Sequence, residues 1–352
     1  MAENKSRPYH EQIDIENTIR LRELIVELPG FVRDFFRGIE QTTSSKTRIA
    51  YAYDLRIFFH YLKENRPDLE DIPIADLTPA YLETLKPADL EEYMEYLKYY
   101  HKGDEDRLNQ TRGIMRKISS LKAFYNYFYR REVIQYNPAA LVELPRDHEK
   151  PIIRLDADEV AVLLDSVEQG DHLTKQQKNF HNKTRTRDLA ILTLLLGTGI
   201  RVSECVGLDI TDLDFKNSGF KIHRKGGKEV ILYFGDEVEE ALRDYLEERK
   251  NIIPCEGSEN ALFLSLQKKR ISVRSVEKLV KKYTQAVTSL KTITPHKLRS
   301  TFGTQLYQET GDIYLVADVL GHSDVNTTRK HYAAIEDQKR RQARNKVHLR
   351  RD

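Results

Sequence analysis

The hydrophobic period of the chain changes over residues 219–234, which read Gly-Phe-Lys-Ile-His-Arg-Lys-Gly-Gly-Lys-Glu-Val-Ile-Leu-Tyr-Phe. Apolar residues alternate on both sides of the central Lys-Gly-Gly-Lys, at Phe220, Ile222, Val230, Leu232 and Phe234. Alternation around a glycine pair is the signal of a β-hairpin. Before and after this stretch the apolar residues mostly recur at helical spacing. The sequence therefore predicts a mainly α chain with a small antiparallel β-sheet.

The N-terminal part shows helical spacing from Leu24 to Tyr136, with helices predicted over 31–36, 46–62, 87–100 and 110–129. A charged stretch without periodicity between Pro145 and Pro151 predicts an exposed linker. After it we expect a helix ending at Glu168, a polar and basic insertion over 170–185 and a buried helix over 186–196. The first 22 residues are polar and predict a mobile segment or a loose helix. The predicted organisation is a mobile segment 1–23, a helical domain 24–145, a linker 146–151, a second domain 152–335 and a basic tail 336–352.

Six polar residues suited to phosphate chemistry lie in the C-terminal half of the chain. They are Arg201, Lys225, His296, Arg299, His322 and Tyr332. A guanidinium can bind two oxygens of one phosphate, so two arginines can neutralise a pentacoordinate phosphorane in place of a metal ion. The phenol of Tyr332 has an ordinary pKa of about 10 and needs such a positive field, or a base, to act as a nucleophile. The set predicts phosphodiester cleavage without a metal or other cofactor.

Each of these residues also has an ordinary explanation when it is taken alone. An arginine and a histidine on one helix face are more often surface charge, and Tyr332 is one of 19 tyrosines. A Gly-Gly pair between lysines is often only a polar turn. The order and spacing of all six favour the catalytic interpretation.

The chain resembles the tyrosine recombinases of the lambda-integrase superfamily, strongly over about 185–335 and more faintly over the first 145 residues. Four motifs carry the resemblance: Gly-Thr-Gly-Ile-Arg-Val-Ser-Glu (197–204), Thr-Pro-His-Lys-Leu-Arg-Ser-Thr-Phe (294–302), Leu-Gly-His-Ser (320–323) and Arg-Lys-His-Tyr (329–332). Within the superfamily the chain is most similar to the Xer-type chromosome-dimer resolvases. The stretches 224–228, 261–266 and 275–280 resemble the single-recombinase XerS branch.

The resemblance implies a role for each candidate residue. Arg201, His296 and Arg299 match the phosphate-binding set. Lys225 matches the hairpin lysine that protonates the leaving 5′ oxygen, and Tyr332 matches the nucleophile that forms a 3′-phosphotyrosyl intermediate.

The resemblance also assigns His322 to the catalytic set and Glu204 and Ser300 to supporting roles. His322 matches the second His/Trp position, and Glu204 matches an acidic residue beside the first arginine. Ser300 stands where the family usually has histidine, a departure that affects tuning rather than activity.

The resemblance also implies a two-domain DNA clamp, with a SAM-like helical domain and a mixed α/β catalytic domain. The implied function is site-specific, ATP-independent DNA recombination that resolves chromosome dimers at a dif-like site before cell division. The implied partners are a double-stranded DNA site with inverted half-sites, further copies of the chain (a dimer per site and a tetramer in the synapse) and an FtsK-type translocase. In this family the tail after the tyrosine docks into a neighbouring protomer.

The chain is 32% charged and yet carries a formal net charge of only +2, so its basic character must be local. Basic runs occur at 112–122, 175–187, 221–228, 268–274 and 339–351, and each alone is most simply a solvated face. Together they favour a surface that follows DNA phosphates. The predicted DNA contacts are Ser45, Lys46, Arg48, Arg112, Arg116, Lys117, Lys122 and Lys228.

Two cysteines, Cys205 and Cys255, fit reduced thiols in the cytoplasm, and no apolar run is long enough to span a membrane. Alternative functions remain open. A phage or transposon integrase would use the same chemistry, although the 23 residues before Leu24 leave little room for an arm-binding domain. A DNA-binding regulator without catalysis, or a type IB topoisomerase, would share part of the residue set.

Overall fold

The computed structural model describes residues 8–102, 105–146, 153–171, 173–224, 228–288, 291–322 and 325. These residues form two compact units, and the chain passes from one to the other between residues 150 and 151. Most of the predicted linker 146–151, together with the predicted tail 336–352, lies outside the described residues. In the described ranges no helix is long and apolar enough to cross a membrane.

The first unit is helical and contains one small hairpin. Its helices are α1 (Tyr9–Ile25), α2 (Val32–Gly38), α3 (Ser45–Asn65), α4 (Pro79–Thr84), α5 (Pro87–Tyr96), α6 (Thr111–Arg130) and α7 (Pro138–Leu141). Short 3-10 turns lie at Pro67–Leu69 and Ile74–Asp76. The strands β1 (Tyr99–Lys102) and β2 (Glu105–Leu108) pair antiparallel, with Tyr99 opposite Leu108.

Aromatic rings fill the core of this unit. Phe124 of α6 is fully buried and meets Phe35 of α2 edge to face, with ring centroids 5.2 Å apart. Its ring also lies 6.1 Å from that of Phe59 on α3. Edge-to-face pairs are favoured by the ring quadrupole, so α6 is held against α2 and α3 along its apolar stripe.

The structure differs from the expectation of a mobile segment over residues 1–23. From Tyr9 onward these residues form most of α1. Leu21 and Leu24 of this helix are buried, and Asp14 accepts a 2.6 Å hydrogen bond from the hydroxyl of Ser45. The helical alternative is the one observed, and the helix has one packed face because a few leucines at helical spacing are enough to bury it.

The predicted helix over 87–100 is also shorter than expected. α5 ends at Tyr96, and strand β1 begins at Tyr99. The Gly-Asp pair at 103–104 was an available hairpin signal in the sequence. The prediction of one helix over 87–100 rested only on the helical spacing of its apolar residues.

The second unit combines helices with a small sheet. Its helices are α8 (Ala157–Gln169), α9 (Lys175–Thr198), α10 (Val202–Gly207), α11 (Asp236–Arg249), α12 (Val273–Val287), α13 (Pro295–Thr310) and α14 (Ile313–Leu320), with a 3-10 turn at Ile210–Asp212. The strands β3 (Leu213–Asp214), β4 (Gly219–His223) and β5 (Glu229–Tyr233) form an antiparallel sheet in the order β3-β4-β5. Phe220 pairs with Leu232, and Ile222 pairs with Val230, so the predicted hairpin is confirmed.

Helix α9 forms the centre of this unit and packs against α8, α11 and α13. Its first half was expected to be a polar insertion, but the helix runs unbroken from Lys175 to Thr198. The hydroxyl of Thr174 caps it by accepting a 3.3 Å bond from the Gln177 N–H. His181 in the polar half is buried, with its Nε2 2.7 Å from the carbonyl oxygen of Val167. A buried hydrogen bond therefore helps to hold the polar half of α9, where the sequence shows no apolar helical pattern.

Candidate active site

Arg201 is the N-cap residue of the short helix α10, in the turn that follows α9. The carboxylate of Glu204 accepts one hydrogen bond from the backbone N–H of Arg201, at 3.0 Å, and one from its Nη1, at 2.9 Å. The side chain of Glu204 is 6% exposed, whereas that of Arg201 is 39% exposed. The buried carboxylate fixes the guanidinium group and leaves part of it open to solvent.

Arg299 lies on α13, whose first residue is Pro295. Its side chain is buried, and its guanidinium donates to the backbone carbonyls of Gly199 and Leu320. Gly199 has a φ of +61°, and a Cβ at this position would lie 2.4 Å from the ring of Phe302. Glycine therefore allows α13 to pack closely on the end of α9, and this contact places Arg299.

His296, Ser300 and His322 lie near these arginines in the chain. His296 is exposed one turn before Arg299, and the Ser300 hydroxyl donates to its backbone carbonyl at 3.1 Å. His322 is half-buried and follows Gly321, which has a φ of +60°. The His322 N–H donates to the Ala317 carbonyl at 2.9 Å, so the left-handed ending of α14 sets the path of the His322 loop.

Three arginines donate to consecutive backbone carbonyls at the end of α14. Arg201 Nη2 lies 3.1 Å from the Gly321 oxygen, and Arg299 donates to the Leu320 oxygen. Arg224 Nη2 lies 2.7 Å from the Val319 oxygen, and its Nη1 lies 3.3 Å from the Asp318 oxygen. The last carbonyls of a helix have no partner within it, and the helix dipole is negative there. We call these residues, Asp318 to Gly321 with Arg201, Arg224 and Arg299, the arginine cluster.

Arg224 was not among the predicted site residues. It directly follows β4, and its backbone N–H donates to the Lys228 carbonyl at 2.8 Å across the base of the turn. Burial lowers the pKa of Arg224 from its usual value, and the neighbouring Arg201 adds to this effect against the opposite influence of Glu204. An available signal was its place in the strand alternation, since Phe220 and Ile222 are the inward residues of β4 and Arg224 is the next in that series.

The structure thus brings together Arg201, Glu204 and Arg299, with the loop of His322 beside them. Lys225 and Tyr332 lie outside the described residues. Lys228, at the other end of the turn, is exposed. Among the described residues, no group of three or more His, Cys, Asp or Glu side chains is arranged to hold a metal ion.

Several predicted DNA contacts on α6 have partners inside the first unit. Arg116 forms a two-bond pair with the buried Asp54, at 2.5 and 2.6 Å. Lys117 is buried and donates to Asn109 at 2.7 Å, and burial lowers its pKa. Lys122 donates to the Val142 carbonyl at 2.6 Å. These bonds hold the unit together, whereas Arg112 on the same helix is exposed.

The predicted contacts at the start of α3 divide in the same way. Ser45 is buried and bonds to Asp14. Arg48 is buried and pairs with Glu40 at 2.8 Å. Lys46, between them, is exposed. Of these candidates Lys46 and Arg112 are exposed and Arg116 is half exposed, so these three can meet a phosphate directly, whereas Ser45, Arg48 and Lys117 are buried.

Comparisons with known proteins agree with this architecture. The phage integrase family model matches residues 154–339, and a model described as the phage integrase N-terminal SAM-like domain matches residues 32–132. The chain is 34% identical to the tyrosine recombinase XerC of Caldanaerobacter subterraneus over 94% of the chain and 91% of that protein. It is 31% identical to the tyrosine recombinase XerD of Oceanobacillus iheyensis over 85% and 91%.

Solved structures share the fold. The XerH recombinase in a post-cleavage complex with a palindromic difH substrate has a TM-score of 0.64 at 18% identity, over 93% of this chain and 94% of that one. The Tn1549 transposon integrase in complex with circular intermediate DNA has a TM-score of 0.60 at 24% identity, over 85% and 93%. The two family models account for both units, and the XerC and XerD relatives align over most of the chain. This chain belongs to the phage integrase family, and it is a tyrosine recombinase, an enzyme that breaks and rejoins DNA.

Proposed function

We propose that Tyr332 attacks a scissile phosphate held by Arg201 and Arg299. The arginine cluster supports this proposal most directly. Guanidinium groups from α10 and α13 are bonded to the adjacent carbonyls of Gly321 and Leu320, and so they lie side by side. A carbonyl satisfies an N–H donor without cancelling the positive charge, so the pair can stabilise a phosphorane by preorganised electrostatics.

The chemistry balances without a cofactor. The phenolic oxygen of Tyr332 forms a bond to phosphorus, and the bond from phosphorus to the 5′ oxygen breaks. Lys225 gives its proton to the departing 5′ oxygen, and the phenol loses its proton to a nearby base. His296 and His322 are the candidates for handling this proton and for donating hydrogen bonds to the phosphate. The phosphotyrosyl ester retains the bond energy, so a 5′-hydroxyl from another duplex can rejoin the strands without ATP.

We further propose the Xer-type role of resolving chromosome dimers at a dif-like site in the cytoplasm. The identity to XerC and XerD relatives over most of the chain supports this role. In this proposal two protomers occupy inverted half-sites, four form the synapse, and residues 336–352 dock into a neighbouring protomer. An FtsK-type translocase is the proposed partner that aligns the two sites.

Covalent capture of a nicked suicide substrate tests the nucleophile. Tyr332→Phe should abolish the covalent protein–DNA band and leave site binding within a few fold, because one hydroxyl is lost and no charge changes. Tyr314→Phe is the matched control, since Tyr314 on α14 is exposed and lies near the cluster in sequence. A covalent band that persists in Tyr332→Phe would overturn the assignment.

A second assay separates the chromosomal role from that of an integrase. A supercoiled plasmid with two directly repeated copies of the host chromosome's dimer-resolution site should be resolved by this chain together with the FtsK-type translocase. Recombination of transposon or phage ends, but not of the chromosomal site, would identify an integrase. Site binding without cleavage on any substrate would identify a regulator.

A further inference from the structure

Arg224 connects two elements of the second unit through its hydrogen bonds. Its two terminal nitrogens bond to the Asp318 and Val319 oxygens of α14, at 3.3 and 2.7 Å. Its own backbone closes the turn of the β4–β5 hairpin through the 2.8 Å bond to Lys228. One residue thus joins the hairpin to the end of α14.

The Arg224 guanidinium group occupies the space that a side chain at position 321 would need, so such a side chain would displace it. A Cβ on Gly321 would lie 2.2 Å from Arg224 Nη1 and 2.5 Å from Arg224 Cζ. Gly321 also has a φ of +60°, which L side chains rarely adopt. The guanidinium group of Arg224 therefore rests on the backbone of the residue that directly precedes His322.

The same helix end holds the two arginines proposed to bind the phosphate. Arg299 donates to the Leu320 carbonyl, and Arg201 donates to the Gly321 carbonyl. Consecutive carbonyls of one helix end keep a fixed spacing, so Arg224 is placed relative to both arginines by a rigid element. The residue after Arg224 in the chain is Lys225.

We infer that Arg224 is a positioning residue that sets the hairpin tip, and with it Lys225, relative to the phosphate site. This inference rests on the proposed function of Lys225 as the general acid. Arg224 is assigned a positioning role rather than a catalytic one, because its backbone belongs to the hairpin while its guanidinium group bonds to the end of α14. A lysine in its place keeps the charge but cannot make the same two bonds, since it lacks the planar fork.

The chemical test compares Arg224→Lys with Lys225→Ala on two suicide substrates, one normal and one with a bridging sulfur at the scissile 5′ position. A misplacement of about 1 Å can cost on the order of 100-fold in rate, and we expect Arg224→Lys to slow cleavage of the normal substrate by up to this factor. The sulfur substrate should be cleaved at nearly the wild-type rate, because a thiol has a pKa of about 8.5 and leaves without protonation. Arg243→Lys is the matched control, since Arg243 pairs with Glu239 on α11 at 54% exposure.

The outcomes separate the two proposals. Rescue of Lys225→Ala by sulfur without rescue of Arg224→Lys would overturn the role of Arg224 and leave the proposed function intact. Failure of sulfur to rescue Lys225→Ala would instead remove Lys225 as the general acid. In that case the inference that Arg224 positions Lys225 for catalysis is overturned as well.

A measurement without DNA tests the contact itself. In Arg224→Lys, amide hydrogen exchange should accelerate by severalfold in peptides spanning 222–230 and 317–322. Exchange in α9 and α11 should stay as in the wild type, which excludes general unfolding of the domain. Unchanged exchange at both the hairpin and the end of α14 would show that Arg224 does not join them, and it would overturn the inference whatever the cleavage rates.

Discussion

Arginine serves the two units of this chain in different ways. In the first unit, Arg116 is paired with the carboxylate of Asp54, which is 2% exposed and also accepts a 2.6 Å bond from Ser120. In the second unit, the arginine cluster uses mainly backbone carbonyls as acceptors. A carboxylate cancels the charge of its arginine, whereas a carbonyl only satisfies its hydrogen bonds.

The difference explains why one site suits a structural role and the other suits phosphate chemistry. Glu204 supplies a carboxylate to Arg201, while Arg224 and Arg299 donate to the carbonyls at the end of α14. Three guanidinium groups against the carboxylates of Glu204 and Asp318 and one helix end leave a small net positive charge. Such a charge is costly without a partner, and it is therefore suited to an anion that the substrate supplies.

The largest predicted effect is on the cleavage rate and comes from a change in the arginine cluster. Arg299→Lys should lower the single-turnover cleavage rate by about 10²–10³-fold, the usual cost of losing one preorganised donor to a transition-state oxyanion. A lysine cannot bridge the Gly199 and Leu320 carbonyls and also meet a phosphate. The measurement is the rate of covalent capture at saturating protein, with Arg243→Lys as the control.

A cleavage rate within a few fold of the wild type would contradict this prediction. The cluster would then be a structural cap on α14 and nothing more. Binding measured in parallel distinguishes a lost contact in the transition state from simple loss of affinity.

The next largest effect is on the stability of the first unit. Asp54→Ala should destabilise the first unit by about 2 kcal/mol, because the buried Ser120 hydroxyl and one edge of Arg116 lose their acceptor. The cost stays below that of a fully buried pair since Arg116 is 50% exposed and can turn to water. Urea unfolding followed by circular dichroism measures the change.

Asp34→Ala is the matched control in the same unit. Asp34 pairs with Arg37 on α2, and both side chains are more than half exposed, at 59% and 78%. Exposed pairs contribute little to stability. Equal destabilisation by the two alanine variants would show that burial of Asp54 does not set the strength of its pair.

The smallest predicted effect is on the salt dependence of DNA binding by the first unit. Lys46→Met should reduce the salt dependence of DNA binding by about 0.9 in the slope of log K against log salt, the value for one lost phosphate contact. Lys117→Met should leave that slope unchanged, because Lys117 is buried and bonded to Asn109. Equal loss of slope in both variants would mean that Lys117 turns outward to meet DNA.

Much of the fold followed from patterns that a local stretch of chain can carry. The hairpin at 219–234 and the helices around Phe58 and Phe124 are confirmed, since apolar period and turn residues are written into neighbouring positions. The unbroken α9 and the β1–β2 hairpin were missed for the opposite reason. In α9 the polar half is stabilised by a distant carbonyl, that of Val167, which no local pattern reveals.

The sequence alone proposed the candidate residues of the site, because Arg201, His296, Arg299, His322 and Tyr332 stand in short motifs whose chemistry and order are visible without coordinates. Only the tertiary structure decided which cations have their hydrogen bonds satisfied inside the protein. It buries Lys117, exposes Lys46, and brings Arg224 to the same helix end as Arg201 and Arg299. The physical reason is that a side chain's charge is a property of its type, whereas its partners can come from distant segments, as in the bond from Arg201 to Gly321, 120 residues away.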